Sequence, residues 1–403
     1  MTPTTEILGY LRSDGRKGIR NLIVVAYLVE CAHHVAREIA HPFRERGVHL
    51  IGFSGCYPNE YAARMMRQIC THPNVGGVLL VSLGCESFDR LGLAETIRDS
   101  GRPVETLVIQ QAGGTRKTVE QGRVWIASAL SAVEATTRRP MSINELVVGT
   151  VCGGSDASSG LTANPAIGCA FDLLVAQRAT AIFEETGELI GCEQSMAARA
   201  SNEALARVLV AAVRKAAQYY SVLGHGSFAP GNADGGLTTQ EEKSMGGYSK
   251  SGSSRISGLI KPGDMPAAGG LFLLDVVPDG EVRFGFPNIN DNAEIGELIA
   301  CGSHLILFST GRGSVVGSAI SPVIKICANP ETYRRLSEDM DINAGRILER
   351  EATLDEVSRE IFDLVVVTAQ GRQTASESLG HQEFVLTYKT FEPIGPACLP
   401  VPA

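Results

Sequence analysis

Hydrophobic positions fall into two kinds of block, and the order of those blocks predicts the architecture. Runs such as Leu22-Ile-Val-Val-Ala-Tyr-Leu-Val, His49-Leu-Ile-Gly-Phe, Val78-Leu-Leu-Val-Ser-Leu and Leu146-Val-Val-Gly-Thr-Val are rich in β-branched residues and show no polar alternation. Such runs suit parallel strands buried on both faces. Between them apolar residues recur at helical spacing, in His33–Ala40, Asn59–Ile69, Arg90–Arg98 and a segment reaching Trp125. A further strand, Glu105–Gln110, runs towards Gly113-Gly-Thr115. Alternating strands and helices predict a doubly wound α/β unit.

Thr136-Thr-Arg-Arg-Pro140 is the clearest polar break. The expected organisation is α/β throughout: a Rossmann-like, parallel-sheet lobe over residues 1–138, then a second α/β lobe over residues 139–403 that carries glycine-rich loops. The second lobe opens on a strand and the loop Cys152-Gly-Gly-Ser-Asp-Ala-Ser-Ser-Gly160. A helix over Pro165–Gln177 follows, with strands at Ala179–Phe183, Gly270–Val277 and His304–Ser309. The polar, glycine-dense stretch Gly224–Gly252 predicts a long loop over a functional site.

Composition narrows the class. At 403 residues the chain can hold two or three domains. A net charge of −8, with no aromatic-basic stripe, argues against a nucleic-acid partner. No apolar run is long enough for a membrane span, and the first residues lack the basic and apolar segments of a secretory leader. Ten cysteines without secretory features read as reduced thiols, so a cytoplasmic protein is expected.

The four leading strand-like runs each lead to a cysteine: Cys31, Cys56, Cys85 and Cys152. Ligands of open parallel sheets bind outside the carboxyl ends of the strands. Cys56, Cys85 and Cys152, each beside a glycine, could therefore converge on one rim as a soft multi-thiolate site. Equally, free cysteine is among the most buried residue types. Cys31, with His33 and His34 nearby, is a weaker fourth contributor. Cys70, Cys169, Cys192, Cys301, Cys327 and Cys398 follow no comparable pattern and read as structural.

Other features point to an enzyme. The Cys152–Gly160 loop precedes a helix, so its backbone N–H groups could receive a carboxylate; capped turns use the same residue types. Arg312, in Ser309-Thr-Gly-Arg-Gly-Ser314, follows an apolar strand and is a candidate carboxylate clamp, or an arginine tying loops together. The turn Val29-Glu-Cys-Ala-His-His34 holds no glycine, which argues against a dinucleotide-binding fingerprint and hence against a nucleotide-dependent oxidoreductase.

Gly9-Tyr-Leu-Arg-Ser-Asp-Gly-Arg-Lys-Gly-Ile-Arg-Asn21, Cys152-Gly-Gly-Ser-Asp156, Ala163-Asn-Pro165, Gly231-Asn232, Gly235-Gly236, Glu242-Lys-Ser244, Thr310-Gly-Arg-Gly313, Lys325 and Asp341-Ile-Asn-Ala-Gly345 together resemble the large catalytic region of the altronate/galactarate dehydratase family. The resemblance implies a hydro-lyase converting a sugar acid to a 2-keto-3-deoxy acid, dependent on iron or another divalent metal. The sister branch, sulfolactate sulfo-lyase, expels sulfite instead and is the alternative; a non-catalytic scaffold is the remaining one. Fused members carry a small domain ahead of this region. Here little precedes Gly9, as in split members, which implies a separate small subunit. The expected partners are that subunit and a small hydroxy-acid substrate, within an oligomer.

In that light Cys56, Cys85 and Cys152 are candidate iron ligands, either holding a [4Fe–4S] cluster together or serving beside a mononuclear Fe²⁺ or Mn²⁺. Dehydration needs a base for the C2 proton, and burial or positive neighbours can turn a lysine into one. Lys243 and Lys250 are candidates. Glu185, Glu188 and Glu193 follow a strand, and one of them could serve as acid or metal ligand, with Glu185 or Glu193 as the alternative base; equally they could be first-turn helix carboxylates. Ser155, Asp156, Asn164, Asn232 and Arg312 are the candidate substrate-binding residues, with Ser159 beside them.

Overall fold

The computed structural model describes residues 6–223, 230–281 and 290–390 as a mixed α/β fold built on two parallel sheets. The chain forms two compact units. The N-terminal unit takes the described residues of Tyr10–Arg138, Pro278–Gly296 and Phe384–Ala403; the larger unit takes those of Met1–Gly9, Arg139–Val277 and Glu297–Glu383.

At the start of the chain β1 (Ile7–Leu11) pairs antiparallel with β2 (Lys17–Gly18) through Tyr10 and Gly18. Then follow β3 (Leu22–Tyr27), α1 (Glu30–Ala40), β4 (Val48–Gly52), α2 (Glu60–Cys70), β5 (Val75–Ser82), α3 (Arg90–Asp99), β6 (Val104–Val108), α4 (Ile109–Ala112) and α5 (Thr115–Glu134). The strands pair in parallel in the order β4-β3-β5-β6. Every residue of β5 is buried, which is why its sequence shows no alternation. Ile23, Val25, Leu79 and Val81 share a core with Val35 and Ile39 of α1 and with Ile126, Leu130 and Val133 of α5. Asn59 and Asp89 begin α2 and α3 by accepting the N–H groups of Ala62 and Gly92, as N-cap side chains do.

The chain continues through β7 (Arg138–Met141), β8 (Val147–Cys152), α6 (Ala163–Ala176), β9 (Thr180–Phe183), α7 (Glu193–Ala198), α8 (Glu203–Leu223), α9 (Pro230–Asp234) and α10 (Gln240–Ser249). After these come β10 (Ile256–Ile260), β11 (Gly270–Leu274), α11 (Asp291–Ala300), β12 (Leu305–Thr310), β13 (Val323–Cys327), α12 (Pro330–Arg335), β14 (Ile342–Asn343), α13 (Leu354–Ala369) and α14 (Ala375–Leu379). Seven strands pair in the order β10-β11-β9-β8-β12-β13-β14, all in parallel. From β8 the chain proceeds to β9 on one side, whereas from β12 it proceeds to β13 on the other. The carboxyl ends of β8 and β12 therefore flank a topological switch point, where open α/β sheets bind ligands.

Two expectations change in detail. Only β8 ends on its cysteine: β4 and β5 stop at Gly52 and Ser82, and Cys31 lies in the first turn of α1. The stretch expected as a long loop contains α9 and α10, while residues 224–229 lie outside the described ones, as does Cys398. Helix α10 forms despite its glycines because Thr239 accepts the Glu242 N–H and two glutamates occupy the first turn, favoured by the helix dipole. Among the described residues no helix is long and apolar enough to cross a membrane.

Candidate active site

At the switch point the backbone itself builds the floor of the site. Beyond β8 and β12 the two loops stay bonded to each other: Gly153 N–H donates to the Ser309 carbonyl at 3.0 Å, and the N–H groups of Gly311 and Arg312 donate to the Gly154 carbonyl at 3.1 and 2.8 Å. A side chain at Gly311 would run into the Asp156 carboxylate, with a Cβ 2.1 Å from Oδ1. Asp156 Oδ1 accepts the Ser158 N–H at 2.9 Å and its hydroxyl at 2.5 Å, and Oδ2 accepts Asn329 Nδ2 at 2.9 Å. Its oxygens are thus engaged in shaping the loop.

Cys152, at the last position of β8, is buried at the centre of a charged cluster. Its sulfur lies 3.1 Å from Glu185 Oε1 and 3.3 Å from Glu188 Oε2. Both glutamates follow β9, and Glu185 takes a left-handed backbone (φ 70°) that aims its carboxylate back at the Cys152 N–H, 3.3 Å away. A non-glycine residue in that region carries strain of order ~1–3 kcal/mol, and such strain concentrates at functional sites.

Two lysines enter from α10. They stand seven residues apart, about two helical turns, and so project from one face. Lys243 donates to Ser155 Oγ at 2.7 Å and to the Cys152 sulfur at 3.3 Å, and pairs with Glu188 Oε1 at 2.7 Å. Lys250, just past the helix end, donates to Glu185 Oε2 and lies 3.9 Å from Glu188 Oε2. Both lysines and Glu185 are at least 94 % buried, so each charge depends on its partner. Burial alone lowers the Lys243 pKa, but Cys152 and Glu188 outweigh it and raise the ammonium well above the usual lysine value.

Helix α10 is seated by close backbone contact. A Cβ at Gly168 of α6 would lie 2.1 Å from the Ser249 carbonyl oxygen, and one at Gly160 would lie 3.1 Å from the Gly246 Cα. Asn164 joins the pieces: its Oδ1 accepts the Ser309 hydroxyl at 2.7 Å, and its Nδ2 donates to the Gly246 carbonyl at 3.1 Å. Arg312 donates to the Gly231 carbonyl, next to Asn232, which is buried in α9.

Of the residues singled out by sequence, Cys152, Ser155, Glu185, Lys243 and Lys250 meet in one cluster. Glu188, one of four neighbouring carboxylates in the sequence, joins it beside the Cys152 sulfur and Lys243, and no local pattern distinguishes it from Glu193. Glu193 instead stands at the start of α7 and accepts the Gly191 N–H at 3.2 Å. Cys56 and Cys85 are exposed at the carboxyl rim of the four-stranded sheet, where Ser87 N–H and Oγ both donate to the Cys56 carbonyl at 3.0 Å. Cys70, Cys192, Cys301 and Cys327 are buried; burial pushes the Cys327 thiol up to about 11.

The ligand atoms of Cys152, Glu185 and Glu188 all lie within 4.8 Å of one another, close enough to share a metal ion. One sulfur and two carboxylates suit a divalent ion of intermediate softness. Iron–sulfur clusters are held chiefly by several cysteine thiolates, whereas the immediate neighbours of the Cys152 sulfur are carboxylate, hydroxyl and ammonium groups.

Comparison with known proteins adds a family context. A family model described as D-galactarate/altronate dehydratase, C-terminal, matches residues 143–391, and one described as D-galactarate dehydratase/altronate hydrolase, second domain, matches residues 9–134. The chain is 33% identical over 406 residues to the β subunit of (2R)-sulfolactate sulfo-lyase from Chromohalobacter salexigens, covering 94% of this chain and 96% of that one. It is 31% identical over 398 residues to altronate dehydratase from Escherichia coli, covering 94% and 77% of the two chains. Against galactarate dehydratase (L-threo-forming) from the same organism the identity is 34% over 332 residues, covering 79% and 61%.

Proposed function

This chain belongs to the D-galactarate/altronate dehydratase family, an enzyme family of sugar-acid dehydratases, and on that premise we propose that it eliminates water from a sugar acid to give a 2-keto-3-deoxy acid. The observation that carries the reading is the enclosure of two lysine amines with Glu185, Glu188 and Cys152 at the sheet's switch point. Elimination from a 2,3-dihydroxy acid needs one group to take the C2 proton and another to give a proton to the departing C3 oxygen. The C2–C3 double bond forms as the C3–O bond breaks, water leaves, and the enol tautomerises to the ketone.

We assign proton removal to Lys250, whose ammonium first passes a proton to the Glu185 carboxylate it is bonded to and so becomes the free amine that takes the C2 proton, and proton donation to Lys243. Lys243 also holds the Ser155 hydroxyl, which can pass a proton onward, whereas Lys250 is held chiefly by Glu185. Each step of this kind is typically worth ~10²–10⁴-fold. Asn232 and the Arg312 guanidinium are the remaining candidates for contact with the substrate carboxylate and hydroxyls. Asn164 and Asp156, whose polar atoms already bond to protein, shape the loops around it.

The fit of the donors supports a single divalent ion held by Cys152, Glu185 and Glu188 in place of a three-cysteine cluster. Such an ion supplies Lewis-acid polarisation of a substrate oxygen. Metal analysis of anaerobically purified protein, together with assay of altronate and galactarate for 2-keto-3-deoxy acid formation, tests the proposal. Turnover of neither acid, or of either without dependence on Lys250, removes it.

A second reading, sulfite release from sulfolactate, is favoured by the match across 96% of the sulfo-lyase β subunit. Assay of sulfite against keto-acid formation on the same preparation separates the two. That relative's designation as a subunit also supports a separate small partner for this chain. Co-expression with a neighbouring small reading frame, followed by co-purification and a rise in turnover, is the expected outcome.

A further inference from the structure

Lys250 is followed by a short turn that is gripped from both sides. The Asp172 carboxylate, from α6, accepts the Ser253 N–H at 3.0 and 2.8 Å, the Ser253 hydroxyl at 2.7 Å, the Ser254 N–H at 2.8 Å and the Ser254 hydroxyl at 2.5 Å. From the end of α7 the Arg199 guanidinium donates to the Ser251 hydroxyl at 2.8 Å, to the Ser251 carbonyl at 2.9 Å and to the Ser254 carbonyl at 3.0 and 2.8 Å. Its charge also lies 5.2 Å from the Tyr248 ring centre, one turn before the turn it clasps.

Between the two clasps stands Gly252 with φ 63°, where a Cβ would lie 2.3 Å from the Gly168 carbonyl oxygen and 2.7 Å from Asp172 Oδ1. The carboxylate can reach both serine N–H groups only because that position has no side chain. Carboxylate bonds to backbone N–H groups are charge-assisted and among the stronger ones available. A turn exposed at Ser253 would fold with far less; this investment falls on the residues directly after a buried catalytic amine.

We propose that Asp172 and Arg199 are positioning residues that hold the Lys250 ammonium at Glu185 by immobilising the Ser251–Ser254 turn. The inference rests on the assignment of Lys250 to proton transfer. A lysine side chain has four rotatable bonds, so its amine is placed only as well as its backbone is. A displacement of about 1 Å can cost ~10²-fold in rate.

The first test does not depend on activity. Limited acylation with an amine-reactive reagent, quantified peptide by peptide by mass spectrometry, should label Lys250 roughly fivefold faster in Asp172→Ala and Arg199→Met than in the unaltered chain, with exposed Lys117 unchanged as the internal standard. Asp172→Asn, which keeps one acceptor oxygen, should fall between. The kinetic counterpart is a ~10–100-fold drop in kcat with KM within about threefold, and no further drop when Asp172→Ala is added to Lys250→Ala. Unchanged labelling of Lys250, or a rise shared by all lysines, overturns the proposal, as does an additive double variant. If Lys250→Ala turns over at the unaltered rate, the catalytic assignment of Lys250 falls, and the labelling arm still decides whether Asp172 holds it.

Discussion

The Lys243 ammonium stands 2.7 Å from the Ser155 hydroxyl, joining a helix to a loop that lies 88 residues earlier in the chain. Through this contact the strand end at Cys152 and the lysine-bearing face of α10 become one site. The same ammonium faces Glu188 at 2.7 Å, in surroundings almost closed to water.

Removing that ammonium should be costly twice over. Lys243→Met leaves the Glu188 carboxylate without its main partner, and breaking a buried pair costs ~3–5 kcal/mol. Turnover should fall ~10²–10⁴-fold. Thermal unfolding and steady-state kinetics on one preparation check both, and a variant with unaltered kcat would take Lys243 out of the chemistry.

Metal content should separate the cysteines. Cys152→Ser and Glu188→Gln are expected to lose bound divalent metal together with activity, because each removes one of three donors whose atoms lie within 4.8 Å of one another. Cys56→Ser and Cys85→Ser should retain it. Equal loss of iron in all three cysteine variants, with sulfide released, would establish the cluster instead.

Adding one methyl group at Gly168 should displace α10. Within a helix, alanine is intrinsically better than glycine by up to ~1 kcal/mol. Here the new Cβ would lie 2.1 Å from the Ser249 carbonyl oxygen, which no rotamer change relieves. Gly168→Ala should therefore lower stability by ~1–3 kcal/mol, as overpacking does, and lower kcat as well. Stabilisation with full turnover would show that the two backbones separate freely.

Lys325 offers a test of pH dependence away from the lysine cluster. It is fully buried in β13, 3.4 Å from His381 Nδ1, and burial lowers its pKa despite Asp339, Asp341 and Glu383 nearby. Its folded value lies below its unfolded one, so its favourable contribution is complete above the ordinary value of 10.5 and is lost as pH falls through the folded value. Lys325→Met should accordingly raise the unfolding temperature at pH 7, with the gain shrinking as pH approaches 10.5. A gain independent of pH would point to packing and not to charge.

Sequence alone determined the α/β class, because the unbroken apolar runs of β3, β5 and β8 admit few other environments than a parallel sheet covered on both faces. It also marked Cys152, Ser155, Glu185, Lys243 and Lys250, since each lies in a motif beside glycines or just after a strand. Local chemistry told less about α10: its glycines read as loop, and its cap at Thr239, its first-turn glutamates and its seat against Gly160 and Gly168 make it a helix. Nor could local sequence choose Glu188 over Glu193, five residues apart with the same side chain. That choice was made by the left-handed turn at Glu185, which carries one carboxylate towards Cys152, while the other closes a turn at Gly191. Spacing along a chain specifies which faces are apolar and where turns fall. Which charges meet depends on how helices and strands seat against one another, and that was decided only by tertiary packing, where Gly168 lets α10 approach α6 and bring two amines to two carboxylates.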